Sequence, residues 1–222
     1  IETVTIAYKG KVEHNDSTGA GGVIEEGGIQ WMTSGKGILH KEYHEKNFSK
    51  KGGEMQMVQL WVNLPAKDKM TEPKYQNIEN KDLAKVDLGN GIGSIDIIAG
   101  EFEKNKGPAS SFTPMSLFNV KLNKGKGTSL SFNENHNTGL LIIKGNVIIN
   151  NKERAPTNHF VLFENKGKEF TIKAEDNAEI LVLSGEPIDE PIASYGPFVM
   201  NTNDEIKQTI DDFNSGKFGY LD

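Results

Sequence analysis

Thr3–Asn15, TVTIAYKGKVEHN, and Thr138–Asn150, TGLLIIKGNVIIN, carry one pattern twice, and this repeat decides the predicted fold. With Gly10 set level with Gly145, five residues coincide (Thr, Lys, Gly, Val and Asn), and the apolar alternation agrees. Two unrelated hairpins that share a Lys-Gly turn would give a similar match. The β-rich composition of both halves favours a duplicated domain.

The rest of the chain also has the composition of β-strands. Short runs rich in β-branched and aromatic residues are separated by Gly, Asn, Asp and Pro; they include GGVIEEGGIQWMT, MQMVQLWVNLP, GSIDIIAGEF, MSLFNVKLN and EFTIKA. This spacing is typical of all-β sandwiches and barrels. With the repeat, it predicts two β-barrel domains, 1–105 and 106–222, with the boundary at the charged, turn-forming stretch Lys104–Ser110.

One helix is predicted near the end of the chain, within TNDEIKQTIDDFNSGKFG, and it is assigned to the second domain. Thr202 or Asn203 can cap it, and acidic residues fill its first turn. Its apolar stripe consists of Ile206, Ile210 and Phe213. Gly216 is placed to end it.

Composition excludes several classes of protein. A formal net charge of -6 argues against a nucleic-acid binder with a basic surface, and no apolar run is long enough for a membrane span. The chain has no cysteine, which excludes disulfides and thiolate metal sites. A cysteine-free chain fits a reducing compartment, so we expect a cytoplasmic location. The chain begins inside a strand pattern at Ile1, so we expect it to be part of a longer protein.

The stretch WMTSGKGILHKEYHE, Trp31–Glu45, contains the candidate metal ligands. In a strand, His40 and Glu42 share one face, because alternate side chains point the same way. A His and a carboxylate on one face form half of a metal site. The preceding Gly35-Lys36-Gly37 turn is predicted to bend the backbone toward the barrel. It is not a phosphate-binding loop, because no Ser or Thr and no helix pattern follow it.

Four stretches together resemble the pirin family: IETVTIAYKGKVEHNDSTG, WMTSGKGILHKE, QLWVNLPAKDKMTEPKYQ and GEPIDEPIASYGPFVMNTNDEI. The resemblance covers nearly the whole chain. It implies an all-β bicupin fold, meaning two jelly-roll β-barrels in one chain, with a C-terminal α-helix in this case.

The resemblance also implies the metal site. In pirins three His and one Glu hold the metal in the N-terminal barrel, and His40 and Glu42 match two of these ligands. The other two His would lie three and five residues before Ile1. Glu2 has the place of the Glu in the general cupin motif, but the pirin pattern does not make it a metal ligand. This donor set suits Fe(II), with Mn, Ni, Cu or Zn as alternatives.

Two functions of different classes follow from the resemblance. The first is a quercetin 2,3-dioxygenase, which uses dioxygen to cleave the heterocyclic ring of a flavonol and releases carbon monoxide; Glu42 would be its catalytic base. The alternative is a non-enzymatic, iron-dependent regulator that binds transcription factors or other proteins. Both use the same site, so the sequence does not separate them.

Other polar residues receive less specific predictions. Gln59 is a candidate hydrogen-bond donor at the metal cavity, whereas Trp31 and Met32 are assigned to the core. His44 is predicted to be solvated, and His14 to lie on the surface or just outside the ligands.

The second barrel is predicted to be metal-free. In the repeat alignment Ser131 and Asn133 take the places of the missing His pair, and Asn137 that of Glu2. His136 and His159 are isolated, and an isolated His is more often structural than a ligand.

Overall fold

The computed structural model describes residues 1–221, which form two compact units built mainly of β-strands. The first unit combines residues 1–82 with the residues from Ile188 onward. The second unit comprises Leu83–Pro187. The prediction of a two-barrel, all-β chain with a C-terminal helix is confirmed.

The N-terminal part of the first unit consists of two antiparallel sheets. One has the strand order β6-β1-β4-β7 and the other the order β3-β2-β5. Its elements are β1 (Glu2–Lys9), β2 (Val12–Asp16), β3 (Gly21–Ile24), β4 (Ile29–Thr33), β5 (His40–His44), α1 (Lys46–Lys51), β6 (Gln56–Val62) and β7 (Lys74–Ile78). Short 3₁₀ turns occur at Ala66–Asp68 and Asn80–Asp82.

The second unit likewise consists of two antiparallel sheets, with orders β17-β14-β19-β12-β9-β8 and β13-β18-β15-β16, and a small hairpin, β10-β11. Its core is an apolar cluster from both sheets that includes Phe118, Leu140 and Ile180. Its strands are β8 (Ala84–Asp87), β9 (Gly93–Ala99), β10 (Glu101–Phe102), β11 (Asn105–Lys106), β12 (Met115–Leu122), β13 (Gly127–Ser131), β14 (Asn137–Lys144), β15 (Val147–Ile149), β16 (Glu153–Ala155), β17 (Phe160–Leu162), β18 (Glu169–Ala174) and β19 (Ala178–Gly185).

The repeated Lys-Gly turn has the same backbone conformation in both units. Gly10 and Gly145 each have φ of 80°, a left-handed value that favours glycine. The strand before each turn also has a register shift at the matching place, between Ala7 and Lys9 in β1 and between Ile142 and Lys144 in β14. The sequence match therefore reflects an equivalent local structure.

The predicted domain boundary at residue 105 differs from the division that the structure shows. The strands β8 and β9 precede residue 105, yet β9 pairs with β12 over Gly93–Ala99 and belongs to the second unit. The charged stretch Lys104–Ser110 is not a linker: it begins at the tip of the β10–β11 hairpin and includes the strand β11. Charge and turn residues mark any exposed loop, so they did not distinguish a hairpin from a linker.

The C-terminal residues were assigned to the second domain, but in the structure they belong to the first unit. They form β20 (Ala193–Tyr195), β21 (Phe198–Met200) and α2 (Asn203–Asn214). The helix matches its prediction: Thr202 caps it in a reciprocal capping box with Glu205, and Ile206 is buried. The carboxylate of Glu190 accepts a hydrogen bond from the Ala66 backbone N–H at 2.7 Å, which ties this segment to the first unit.

Candidate metal centre and its cavity

The predicted ligands lie on β5, whose neighbour β2 contributes two further polar side chains. In the register of these strands Asp16 lies opposite His40, and His14 lies opposite Glu42. Directly opposed residues in an antiparallel pair point to the same face. The strand alternation therefore brings four ionisable side chains together on one face of this sheet.

The carboxylate of Glu42 is oriented by two donors from the facing sheet. Its Oε1 accepts a hydrogen bond from the Thr5 hydroxyl at 2.9 Å, and its Oε2 accepts one from Gln59 Nε2 at 2.8 Å. Gln59 Nε2 also lies 3.1 Å from Thr5 Oγ1. Thr5 and Gln59 are opposed residues of β1 and β6. Gln59 is thus a donor beside a predicted ligand.

His40 has the features of a side chain available for metal binding. It is half-buried, and its Nδ1 is buried without a hydrogen-bond partner among residues 1–221. A neutral imidazole nitrogen and a carboxylate oxygen together suit divalent transition metals such as iron, so His40 and Glu42 fit the predicted group.

These two donors do not complete a site by themselves. Among residues 1–221, no group of three or more His, Asp or Glu side chains is placed to hold a metal ion. His40 and Glu42 remain the predicted ligands, and a centre that includes them needs further donors.

His14 is buried rather than on the surface, and it lies opposite Glu42, which agrees with the alternative prediction of a place just outside the ligands. Only 3% of it is exposed, and its ring stacks on Tyr75 with ring centroids 5.5 Å apart. The strand β2 extends to Asp16, and its alternate residues Val12, His14 and Asp16 are all buried. Burial lowers the pKa of His14, against the opposing effect of the Glu42 and Asp16 charges.

Asp16 and Tyr75 extend this buried polar group. Burial disfavours the charged form of Asp16, but hydrogen bonds from the Thr18 hydroxyl and from the backbone N–H groups of Thr18 and Ala20 outweigh it and lower the pKa of Asp16. Burial, followed by the nearby Asp16 carboxylate, raises the pKa of Tyr75. Asp16, on the same face as the predicted ligands, therefore favours the charged form, and Tyr75, on β7 of the other sheet, favours the neutral form.

The other three histidines are His44 in the first unit and His136 and His159 in the second. His44 is exposed, as predicted, and its ring contacts Phe48 edge-on. In the second unit His159 is exposed, and His136 is half-buried with its Nδ1 3.4 Å from the Ser184 hydroxyl. The assignment of the second barrel as metal-free stays a prediction.

A cavity of about 470 Å³ opens beside His40 in the first unit, and its lining is mainly apolar. His40 and Gln59 belong to its wall, and Glu42 reaches that wall through its hydrogen bond to Gln59. Small-molecule sites have volumes of about 300–1,000 Å³ and combine apolar walls with a few polar groups. The wall also includes Ile1, Thr3, Leu39, Trp61, Met70, Phe198, Met200, Phe213, Phe218 and Leu221.

Part of this wall comes from the C-terminal segment, a contribution that sequence reasoning missed. Phe198, Phe213 and Phe218 form a cluster in which each ring contacts the other two. Phe213 was interpreted only as part of the apolar stripe of the helix. The one usable signal was the unusual aromatic content of the stretch from Phe213 to Tyr220, since aromatic residues after a helix end must pack on something.

Gly37, in the turn before His40, is expected to be intolerant of substitution. Its φ is 120°, and a Cβ there would lie 2.2 Å from the Phe218 ring. Gly37→Ala should therefore lower the free energy of unfolding by about 2–4 kcal/mol, through backbone strain and steric overlap. Denaturant unfolding measures this change.

Gly19→Ala is the matched control for this substitution. Gly19 also has positive φ, at 84°, but nothing lies within 4 Å of its added Cβ. It should cost only the backbone part, about 1–2 kcal/mol. Equal losses in the two variants would show that Phe218 does not pack against this turn.

Comparison with known proteins identifies the family to which the sequence is similar. Residues 1–62 match the family model described as Pirin, and residues 117–219 match the Pirin C-terminal cupin domain. A proposed quercetin 2,3-dioxygenase of Pseudomonas aeruginosa, PA2418, is 43% identical over 98% of this chain and 76% of its own length.

Two solved structures are similar as well. A quercetin 2,3-dioxygenase from Acinetobacter baumannii has a TM-score of 0.96 and 46% identity, over all of this chain and 77% of that one. The bacterial pirin YhhW from Escherichia coli, in complex with nickel(II), has a TM-score of 0.66 and 21% identity, over 84% of this chain and 72% of that one. At that identity the second likeness shows the fold alone.

One further finding concerns membranes: no helix within residues 1–221 is both long and apolar enough to cross a bilayer.

The relatives and the family models agree with the fold and with the repeat of two barrels. Membership of this group implies a metal cofactor. The chain belongs to the pirin family of cupin proteins.

Proposed function

We propose that this protein is a metal-dependent dioxygenase of the quercetin 2,3-dioxygenase type, which acts on a flavonol. One observation carries the proposal: an apolar cavity of about 470 Å³ lies directly against His40 and Gln59, and Gln59 is hydrogen-bonded to Glu42. A planar aromatic substrate with a hydroxyl group suits a cavity with apolar walls and a polar end. The related proteins named for this activity support the same choice.

His40 and Glu42 would hold the metal together with the two His residues proposed upstream of Ile1. We propose Fe(II) as that metal. When bound, it would supply Lewis acidity for the substrate hydroxyl and the one-electron chemistry that dioxygen requires.

The protein's own contribution begins with Glu42, which we propose as the base that accepts the proton of the flavonol hydroxyl. Thr5 and Gln59 each donate to a different oxygen of this carboxylate, so its orientation is set before substrate binds. The apolar wall keeps water from the reacting ring, which protects reactive species from side reactions.

The test is oxygen uptake and carbon monoxide release with quercetin and the iron-loaded, full-length protein. Uptake that depends on both iron and quercetin supports the proposal. If iron binds but no flavonol causes oxygen uptake, the enzyme proposal is wrong, and the non-enzymatic regulator becomes the better hypothesis.

Gln59→Leu tests the support of Glu42. The variant keeps the side-chain size but removes the 2.8 Å hydrogen bond to Glu42 Oε2. A hydrogen bond to a charged group contributes about 1.5–3 kcal/mol, so kcat/KM with quercetin should fall roughly 10- to 100-fold. Metal content should change little, because Gln59 is not a predicted ligand.

The control for this variant is Gln208→Leu. Gln208 is exposed on α2, and its side-chain amide donates a hydrogen bond to the Asp212 carboxylate. Its replacement should leave kcat/KM unchanged. An unchanged kcat/KM in Gln59→Leu would mean that the orientation of Glu42 does not depend on Gln59.

A further inference from the structure

The cavity beside His40 is bounded by two parts of the chain that are far apart in sequence. The strands β1, β5 and β6 supply Thr3, His40 and Gln59, whereas the residues from Pro197 onward supply an aromatic wall. Both parts belong to the first unit. The barrel part thus supplies most of the polar groups together with Trp61, and the C-terminal part supplies three phenylalanine rings together with the polar residues Thr209 and Asp212.

The aromatic wall is a cluster of three rings. Ring centroids are 6.0 Å apart for Phe198 and Phe213, 6.3 Å for Phe198 and Phe218, and 6.2 Å for Phe213 and Phe218. The interplanar angles, 59°, 67° and 58°, are those of tilted and edge-on pairs. Such pairs favour a further ring that can pack edge-on or in an offset arrangement.

Phe218 is anchored to the barrel next to His40. The hydroxyl of Ser17 donates a hydrogen bond to the backbone oxygen of Phe218. The same hydroxyl oxygen accepts one from the Leu39 backbone N–H at 3.1 Å, and Leu39 precedes His40. The Phe218 ring lies over Gly37, where a Cβ would overlap it. The position of this ring is therefore set by the residues that position His40.

Phe213 differs from Phe218 in having room to adapt. It lies near the C-terminal end of α2, it is 45% exposed, and it belongs to the same wall. One ring of the wall is therefore held in place while the other has a free edge. A ligand in the cavity can contact both.

We propose that Phe213 and Phe218 are specificity-determining residues that select a planar aromatic ligand over an aliphatic one of similar size. This inference rests on the proposed function, because it assigns the far end of the substrate. If the substrate hydroxyl lies at the polar end with His40 and Gln59, the remaining aryl rings extend along the apolar wall. An aliphatic ligand would gain burial there but not the edge-to-face contacts between rings.

The experiment measures binding rather than turnover. The chain has two tryptophans, of which Trp31 is fully buried and Trp61 lines the cavity with 55% of its surface exposed. Quenching of Trp61 fluorescence therefore reports a ligand in the cavity. The probes are quercetin and decanoate, an aliphatic acid. They are titrated into the full-length protein with Zn²⁺, which has no redox chemistry and so prevents turnover.

Phe213→Leu and Phe218→Leu keep an apolar side chain but remove the ring. Each should weaken quercetin binding about three- to tenfold and leave the Kd of decanoate unchanged. Tyr220→Leu is the matched control, because Tyr220 is an aromatic residue of the same segment, 81% exposed and outside the cavity wall. It should change neither Kd.

Three outcomes would overturn the inference: an unchanged Kd for quercetin in Phe213→Leu, an equal loss for both probes, or no binding of quercetin to the parent protein. If Phe218→Leu does not fold, as judged by thermal unfolding, Phe213→Leu decides alone, because its side chain is partly exposed. Failure of the proposed function gives a different result. If the variants selectively lose quercetin binding but the parent protein consumes no oxygen, the assignment of Phe213 and Phe218 stands and the dioxygenase proposal is wrong.

Discussion

His40→Ala should remove most of the bound metal from the full-length protein and abolish any flavonol cleavage. The substitution deletes an imidazole that lies on the inner face of β5, against the cavity. Residues that merely support metal ligands contribute about 10- to 100-fold to affinity, so loss of a ligand should cost at least about 100-fold. Metal content after dialysis, together with oxygen uptake, measures both effects.

His136→Ala is the control for this prediction. His136 is a half-buried histidine of the second barrel, where the sequence predicts no metal site. It should leave metal content and oxygen uptake unchanged. Retention of metal in His40→Ala, or its loss in His136→Ala, would show that the working site is not in the first barrel.

Glu42→Gln should separate metal binding from turnover. The amide keeps the size of the side chain and can still accept from Thr5 or Gln59 through its oxygen, but it has no negative charge and is not a base. Metal should be partly retained, with affinity lowered by about tenfold to 100-fold. Loss of a general base should lower kcat by about 10²–10⁴.

The ratio of the two effects decides the role of Glu42. If metal and turnover fall in parallel, Glu42 is a ligand but not the base, and the proton of the substrate must be accepted elsewhere. If neither falls, the assignment of Glu42 to the centre is wrong. Measurement of kcat at saturating metal separates a loss of metal affinity from the loss of a base, because it removes the affinity effect from the observed kcat.

The binding and turnover experiments together also separate the two functional classes. A regulator with the same ligands would lose metal in His40→Ala but would show no oxygen uptake in the parent protein. A dioxygenase should lose both. The Gln59→Leu variant adds a further distinction, since it affects turnover without removing a predicted ligand.

The local pattern of the sequence determined much of this protein. Alternation with a period of two placed His40 and Glu42 on one face of β5, and the N-cap residue and apolar stripe defined α2. The repeat around Gly10 and Gly145 identified two equivalent turns, and the two glycines have the same φ. Each of these features depends on residues within about a dozen positions, so a linear pattern can report it.

Tertiary structure alone decided which distant residues complete the candidate site. Gln59 meets Glu42 across 17 positions, and Ser17 meets Phe218 across 201. The C-terminal segment joins the first unit, β9 joins the second, and His14 is buried on the inner face of β2. Periodicity states which face of an element is apolar, but not which partner covers it. That choice depends on packing between elements far apart in the chain, and it places the aromatic wall beside His40.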